Sequence, residues 1–184
     1  EVTHIMGYPR TERSHTTVGA HVLHHMEDEK LKPGLSGTYF NGIDITAKPA
    51  FTRIDDRIDF NWTLFGSDKR IAYDHFAVKW EGVLVPDSTS RWRIGIEGNE
   101  GYRLYLNDSL VIDRWSGQGY GTSLIDRSFS QDSSIAIRLE YRERAGNARF
   151  KLIWDKKVFH DDFEYNIFEL VEQANAHDAV IVVA

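Results

Sequence analysis

A chain of 184 residues has room for one well-cored domain and a little more, and two full domains would be cramped. With 41% hydrophobic and 12% aromatic residues it lies far from the disordered regime and leans towards β structure. The net charge of −6, with basic residues scattered along the chain, gives no footing on phosphate backbones or anionic lipid, and the absence of cysteine excludes a disulfide frame and a thiolate metal site.

Residues 1–6 read as a short strand, and the polar stretch 8–32 shows no clear period. Within it, His21 and His25 are spaced for one face of a helix, with His24 and Glu27 nearby. No third ligand follows at matching spacing, so a solvated histidine-rich linker is the expectation, with no metal site. Pro33-Gly34 punctuates the entry to a region of period-two alternation. There Phe76, Val78 and Trp80 share one face, as do Trp92, Ile94 and Ile96, then Tyr102, Leu104 and Leu106. Asn107-Asp108 supplies a turn before Leu110 to Ile112, and Ile135, Ile137, Leu139 and Tyr141 form another stripe. Ala145-Gly146-Asn147 is expected to close a hairpin onto Ala148, Phe150, Leu152 and Trp154. Many short strands punctuated by turns make an antiparallel all-β sandwich or barrel. Trp62, Trp80, Trp92 and Trp154 fall on its core stripes.

The far end changes character. Ile167, Leu170, Val171 and Ala174 follow helical spacing over 165–177, and the wholly apolar run 179–184 suits a strand buried on both faces, as in a parallel α/β sheet that continues past the chain's last residue. No stretch approaches the roughly 20 apolar residues of a membrane span. The sequons at Asn61 and Asn107 are expected to be chance occurrences.

The run Gly34-Leu35-Ser36-Gly37-Thr38-Tyr39-Phe40 resembles the opening of protective-antigen-type (PA-14) domains. Four further segments are similar to that family's motifs in the same order: Phe76-Ala77-Val78-Lys79-Trp80-Glu81-Gly82, Gly98-Asn99-Glu100-Gly101-Tyr102-Arg103-Leu104-Tyr105-Leu106, Leu110-Val111-Ile112-Asp113-Arg114-Trp115, and Ile137 to Tyr141 with Leu152 to Trp154. The flanks, Val2-Thr3-His4-Ile5-Met6-Gly7 and residues 174–183, resemble two elements of the C-terminal α/β domain of family 3 glycoside hydrolases, between which such a module is inserted in β-glucosidases. The resemblance implies three parts: an N-terminal flank and linker over 1–33, a PA-14-like β-sandwich over 34–155, and a C-terminal flank of helix and buried strand over 156–184.

Acidic residues such as Asp55-Asp56, Glu97 with Glu100, and Asp161-Asp162 are plentiful, but no pair is marked out as a glycosidase couple, and the resembled family's catalytic residues lie outside the matching segment. No catalytic residue is therefore assigned. Adhesin relatives of the family hold Ca²⁺ with adjacent aspartates where this chain has Asn99 and Glu100, a departure that argues against a cofactor. Sugar recognition needs an aromatic face beside hydrogen-bonding groups on an exposed loop. The glycine-rich stretch 113–121 offers both. Arg114, Trp115 and Tyr120, with Asn99 and Glu100, are the candidate carbohydrate-binding residues. The expected role is to shape the active-site mouth of a parent β-glucosidase, its partners being an oligosaccharide or β-glycoside and the parent's catalytic domains. An independent carbohydrate-binding module and a structural dimerisation insert are the alternatives.

Overall fold

The computed structural model describes residues 15–63, 66–117, 119–155 and residue 175. Within the compact unit His15–Lys156 the described residues form thirteen strands. They are β1 (Thr16–Thr17), β2 (Leu23–Glu27), β3 (Lys30–Pro33), β4 (Leu35–Phe40), β5 (Phe51–Asp55), β6 (Asp59–Asn61), β7 (Phe76–Leu84), β8 (Ser90–Gly98), β9 (Gly101–Leu106), β10 (Ser109–Arg114), β11 (Gly121–Phe129), β12 (Ile135–Glu143) and β13 (Arg149–Asp155). Two antiparallel sheets result. One runs β13-β8-β11, with β1 and β6 sharing the free edge of β13. The other runs β10-β9-β12-β7; β2 and β4 divide the remaining edge of β7 and carry β3 and β5 on their far sides.

The antiparallel β-sandwich is the fold that the alternation pattern leads one to expect, and every predicted stripe is an inner face. Phe76, Val78, Trp80, Tyr102, Leu104, Leu139 and Tyr141 of one sheet meet Ile94, Ile96, Phe150 and Leu152 of the other, all without solvent exposure. Trp62, Trp92 and Trp154 are buried with them.

The structure differs from the sequence reading in three places. Residues 16–33 contribute to the sandwich: β1 pairs with β13, β2 pairs with β7, and Val18, Val22 and Leu23 are buried in the core. Their strands are too short, and broken by a 3-10 turn at Ala20–Val22, to show a period. Secondly, residues 145–147 do not close a hairpin. Strand β12 pairs with β7 and β9, whereas β13 pairs with β8, β6 and β1, so the chain crosses from one sheet to the other at this corner. Asn99-Glu100 makes the same kind of crossing between β8 and β9, with Glu100 at φ 59°. Thirdly, β5, β6 and β11 lack clean alternation and were not expected. The Asn107-Asp108 turn does join paired neighbours, β9 and β10, and both of its residues hold positive φ, as a tight two-residue hairpin loop demands. The short strand expected over 1–6, and the helix and strand expected over 165–177 and 179–184, lie outside the described residues except for residue 175.

A buried polar knot sits inside the aromatic core. Asp55 accepts hydrogen bonds from Trp80 Nε1 at 2.7 Å, from the Tyr39 hydroxyl at 2.6 Å and from Arg53 Nε at 2.7 Å. Arg53 Nη2 also donates to the Tyr39 oxygen at 2.6 Å. Burial, with the Asp55 charge beside it, holds the Tyr39 phenol protonated far beyond the ordinary tyrosine range. Gly37 makes the space, because a Cβ there would stand 2.7 Å from Asp55 Oδ2 and 3.0 Å from Trp80 Nε1. Asp55→Ala would strand the buried Trp80 and Tyr39 donors, while Arg53 is partly exposed and keeps Asp68 at 3.9 Å; urea denaturation should show a loss of about 3 kcal/mol, and a loss under about 1 kcal/mol would mean that water replaces the carboxylate.

Candidate functional site

Strand register gathers the predicted residues at one end of the sandwich. Gly98 is the Cα partner of Phe150 and of Gly121, Gly101 of Arg142, and Tyr102 of Arg114. The 99–100 corner, the 115–120 loop and the 144–148 corner therefore lie side by side, each springing from paired strands. The Glu143–Phe76 pairing adds the segment that leads into β7.

Arg114 is built into its loop. Its Nη1 donates to the Tyr102 hydroxyl at 3.2 Å, and a Cβ at Gly121 or at Gly117 would meet its side chain at 2.2 Å and 2.5 Å. Gly117 and Gly121, two of the glycines that marked this stretch as a loop, thus make room for the Arg114 side chain. Trp115 is half-buried outside the core, with the guanidinium carbons of Arg103 and Arg142 at 4.6 Å and 4.5 Å from its ring centroid. Arg142 also donates to the Trp115 carbonyl. Arginines engage the ring that a sugar would need.

Tyr120 is 52% exposed, and its hydroxyl donates to Glu97 Oε1. Glu97 was not singled out in sequence, since a strand carboxylate carries no local mark. It also lies 2.6 Å from His15 Nε2 and 3.8 Å from Lys151 Nζ. Burial opposes its charge, yet the Tyr120 and His15 hydrogen bonds, with the Lys151 charge, hold its carboxyl below the ordinary range. Burial and the Glu97 carboxylate push the Tyr120 phenol up to about 12. The tyrosine is thus tethered at its oxygen with its ring largely open to solvent.

Asn99 and Glu100 are both half-buried at their corner. Asn99 Oδ1 is buried without a hydrogen-bond partner, as is Glu143 Oε1 at the end of β12. Calcium asks for six to eight oxygen ligands. Among the described residues no group of three or more His, Cys, Asp or Glu is placed to hold a metal ion, so this donor set does not fit one. The histidines are not arranged as ligands on a helix: His21 lies in the 3-10 turn, 3.2 Å from Asp87, and His24 and His25 are consecutive residues of β2 and so point to opposite faces.

The PA14 domain family matches residues 31–157. A curated relative, the anti-sigma-I factor RsgI3 of Acetivibrio thermocellus, is 30% identical over 67% of this chain, which spans about a fifth (19%) of that protein. Among solved structures, the β-glucosidase of Kluyveromyces marxianus in complex with glucose aligns over 89% of this chain and 22% of its own, with a TM-score of 0.63 and 18% identity. The PA14 sugar-binding domain of an RTX adhesin aligns over 66% of this chain and 89% of its own, with a TM-score of 0.55 and 16% identity. At such identities the two structures establish the shared fold.

The Tyr120–Glu97 tether is directly testable. In Glu97→Gln the phenol loses its anionic acceptor, so carbon NMR of the ring should show its ionisation falling from about 12 towards the ordinary value of about 10, whereas an unchanged titration would place the hydroxyl elsewhere.

Proposed function

The chain belongs to the PA14 domain family, and from that membership we propose that it is a carbohydrate-associated module of a family 3 β-glucosidase-like hydrolase, shaping the mouth of the parent's active site. The observation that carries this is the extent of the likeness to the K. marxianus β-glucosidase. It covers 89% of the chain, more than the stretch matched by the PA14 domain itself, and so takes in part of the flanks whose motifs resemble a hydrolase α/β domain. In this proposal the flanks over 1–33 and 156–184 belong with the parent, apart from the strands of 16–33 that complete the sandwich. Catalysis stays with the parent's own carboxylates.

At the loop end, Tyr120 offers the stacking face for a sugar ring, and Asn99 and Glu100 offer polar groups beside it. Arg114 and Trp115 act chiefly by holding the loop that presents Tyr120, because their polar and aromatic surfaces are engaged within the protein. A rigid sandwich bearing short loops suits this task, since sugar affinity depends on groups held in place before binding.

The likeness to the PA14 sugar-binding domain of an RTX adhesin, which covers 89% of that domain, favours a second reading, in which the module binds carbohydrate by itself. Two measurements separate the readings. Deleting residues 35–155 from the full enzyme should shift its preference between short and long oligosaccharides if the module shapes the mouth, and an unchanged preference would refute that role. Calorimetric titration of the isolated chain with cello- and xylo-oligosaccharides should give heat that Tyr120→Ala abolishes if the module binds alone. Silence with both ligand series would remove that second reading.

A further inference from the structure

We infer that Glu143 is kept as a buried neutral acid among the acidic groups of the loop end, so that the 99–100 and 144–148 corners pack together without calcium and loosen as the pH rises. The inference stands whether or not the end binds sugar.

Glu143 is the last residue of β12 and is completely buried. Its Oε2 accepts the Tyr141 hydroxyl, while Oε1 has no hydrogen-bond partner. A carboxylate so placed would be a buried charge with one oxygen unpartnered and two acidic groups beside it, whereas the acid form is neutral and turns one oxygen into a donor. The surroundings push the same way. Gly101 lies opposite Arg142, which brings Glu100 alongside Glu143, and Phe76 lies opposite Glu143, which brings the Asp74 segment in from the other side. Asp74 is held at this corner by the Gly146 N–H at 3.0 Å. Glu143 thus faces Glu100 from the β8–β9 corner, Asp74 from the segment before β7, the Tyr141 hydroxyl from its own strand and the Ala145 N–H from the β12–β13 corner. Arg142, the neighbouring strand residue, points to the opposite face and is engaged with Trp115. Burial raises the Glu143 pKa and the charges of Glu100 and Asp74 add to it, against the hydrogen bonds from Tyr141 and Ala145. Asn99 Oδ1 is a second buried oxygen without a hydrogen-bond partner at this end.

The direction of the pH effect follows from linkage. The folded chain binds the Glu143 proton more tightly than the unfolded chain, so this contribution is intact below the ordinary glutamate range. It is lost as the pH climbs from that range to the point where the buried carboxyl itself ionises. Glu143→Gln mimics the acid form and removes the dependence.

The test is thermal melting of the 184-residue chain and of Glu143→Gln. The two should melt together at about pH 4 and below and separate by roughly 3 °C or more near about pH 8, with the variant the more stable. A gap that is the same at both pH values overturns the inference. If Glu143→Gln fails to fold, Glu100→Gln serves: removing a facing charge should make the wild-type fall in melting temperature with pH shallower, and an unaltered fall counts against the idea. Millimolar calcium or a chelator should leave the wild-type melting temperature unchanged at the higher pH. A calcium-dependent rise that either variant abolishes would show that these carboxylates serve a cation after all.

Discussion

The Asp55 knot is the constraint on which the rest of the sandwich hangs. One carboxylate ties together Trp80 on β7, Tyr39 on β4 and Arg53 on β5, three strands of the same sheet. Trp80 is also the middle ring of a column that spans the core, stacked on Phe60 at 5.5 Å and on Phe150 at 5.2 Å, both residues of the opposite sheet. Fixing the indole by its N–H therefore fixes the register of one sheet and its seating on the other. The arrangement has a steep cost of failure, because a buried polar group left half-satisfied is worse than an apolar one. It specifies a single packing for that reason.

The loop end inherits its order from that core. Strands β8, β9, β12 and β13 run from the aromatic column to the corners, so the 99–100 and 144–148 corners are short, and the longer β10–β11 connection carries Trp115 and Tyr120. Arg114 is threaded under Gly117 and Gly121, which turns a glycine-rich stretch from a flexible element into one wrapped on a side chain. A loop of this kind can present Tyr120 with little entropy left to lose on binding. This preorganisation is what a module working beside a sugar-binding cleft, or on a polysaccharide alone, would need.

The buried acid at Glu143 and the part-buried tether at Glu97 show opposite uses of a carboxyl group within one end of the molecule. Glu97 sits near the surface among a histidine, a lysine and a tyrosine, and its anion is favoured. Glu143 is enclosed with acidic neighbours, and its neutral form is favoured. Nothing in the two local sequences distinguishes them, since Glu97 and Glu143 each lie at or next to the end of a strand of alternating residues.

By itself the sequence determined the fold class, the long strands and the identity of the core aromatics, because period-two alternation records which side of each strand faces oil and which faces water. Its glycines and its Asn-Asp pair also marked where the chain turns. Which strands pair was decided only in three dimensions: a tight turn followed by an alternating strand reads the same whether the chain folds back within a sheet or crosses to the other, and at 99–100 and 145–147 it crosses. The part of the candidate site legible in sequence was the loop and its residue types. That Arg114 and Trp115 are used internally, that Glu97 holds Tyr120, and that Glu143 is enclosed among acids all depend on residues up to 82 positions apart, as in the His15–Glu97 contact. Burial and charge are properties of an environment, and environments are assembled only when distant segments meet.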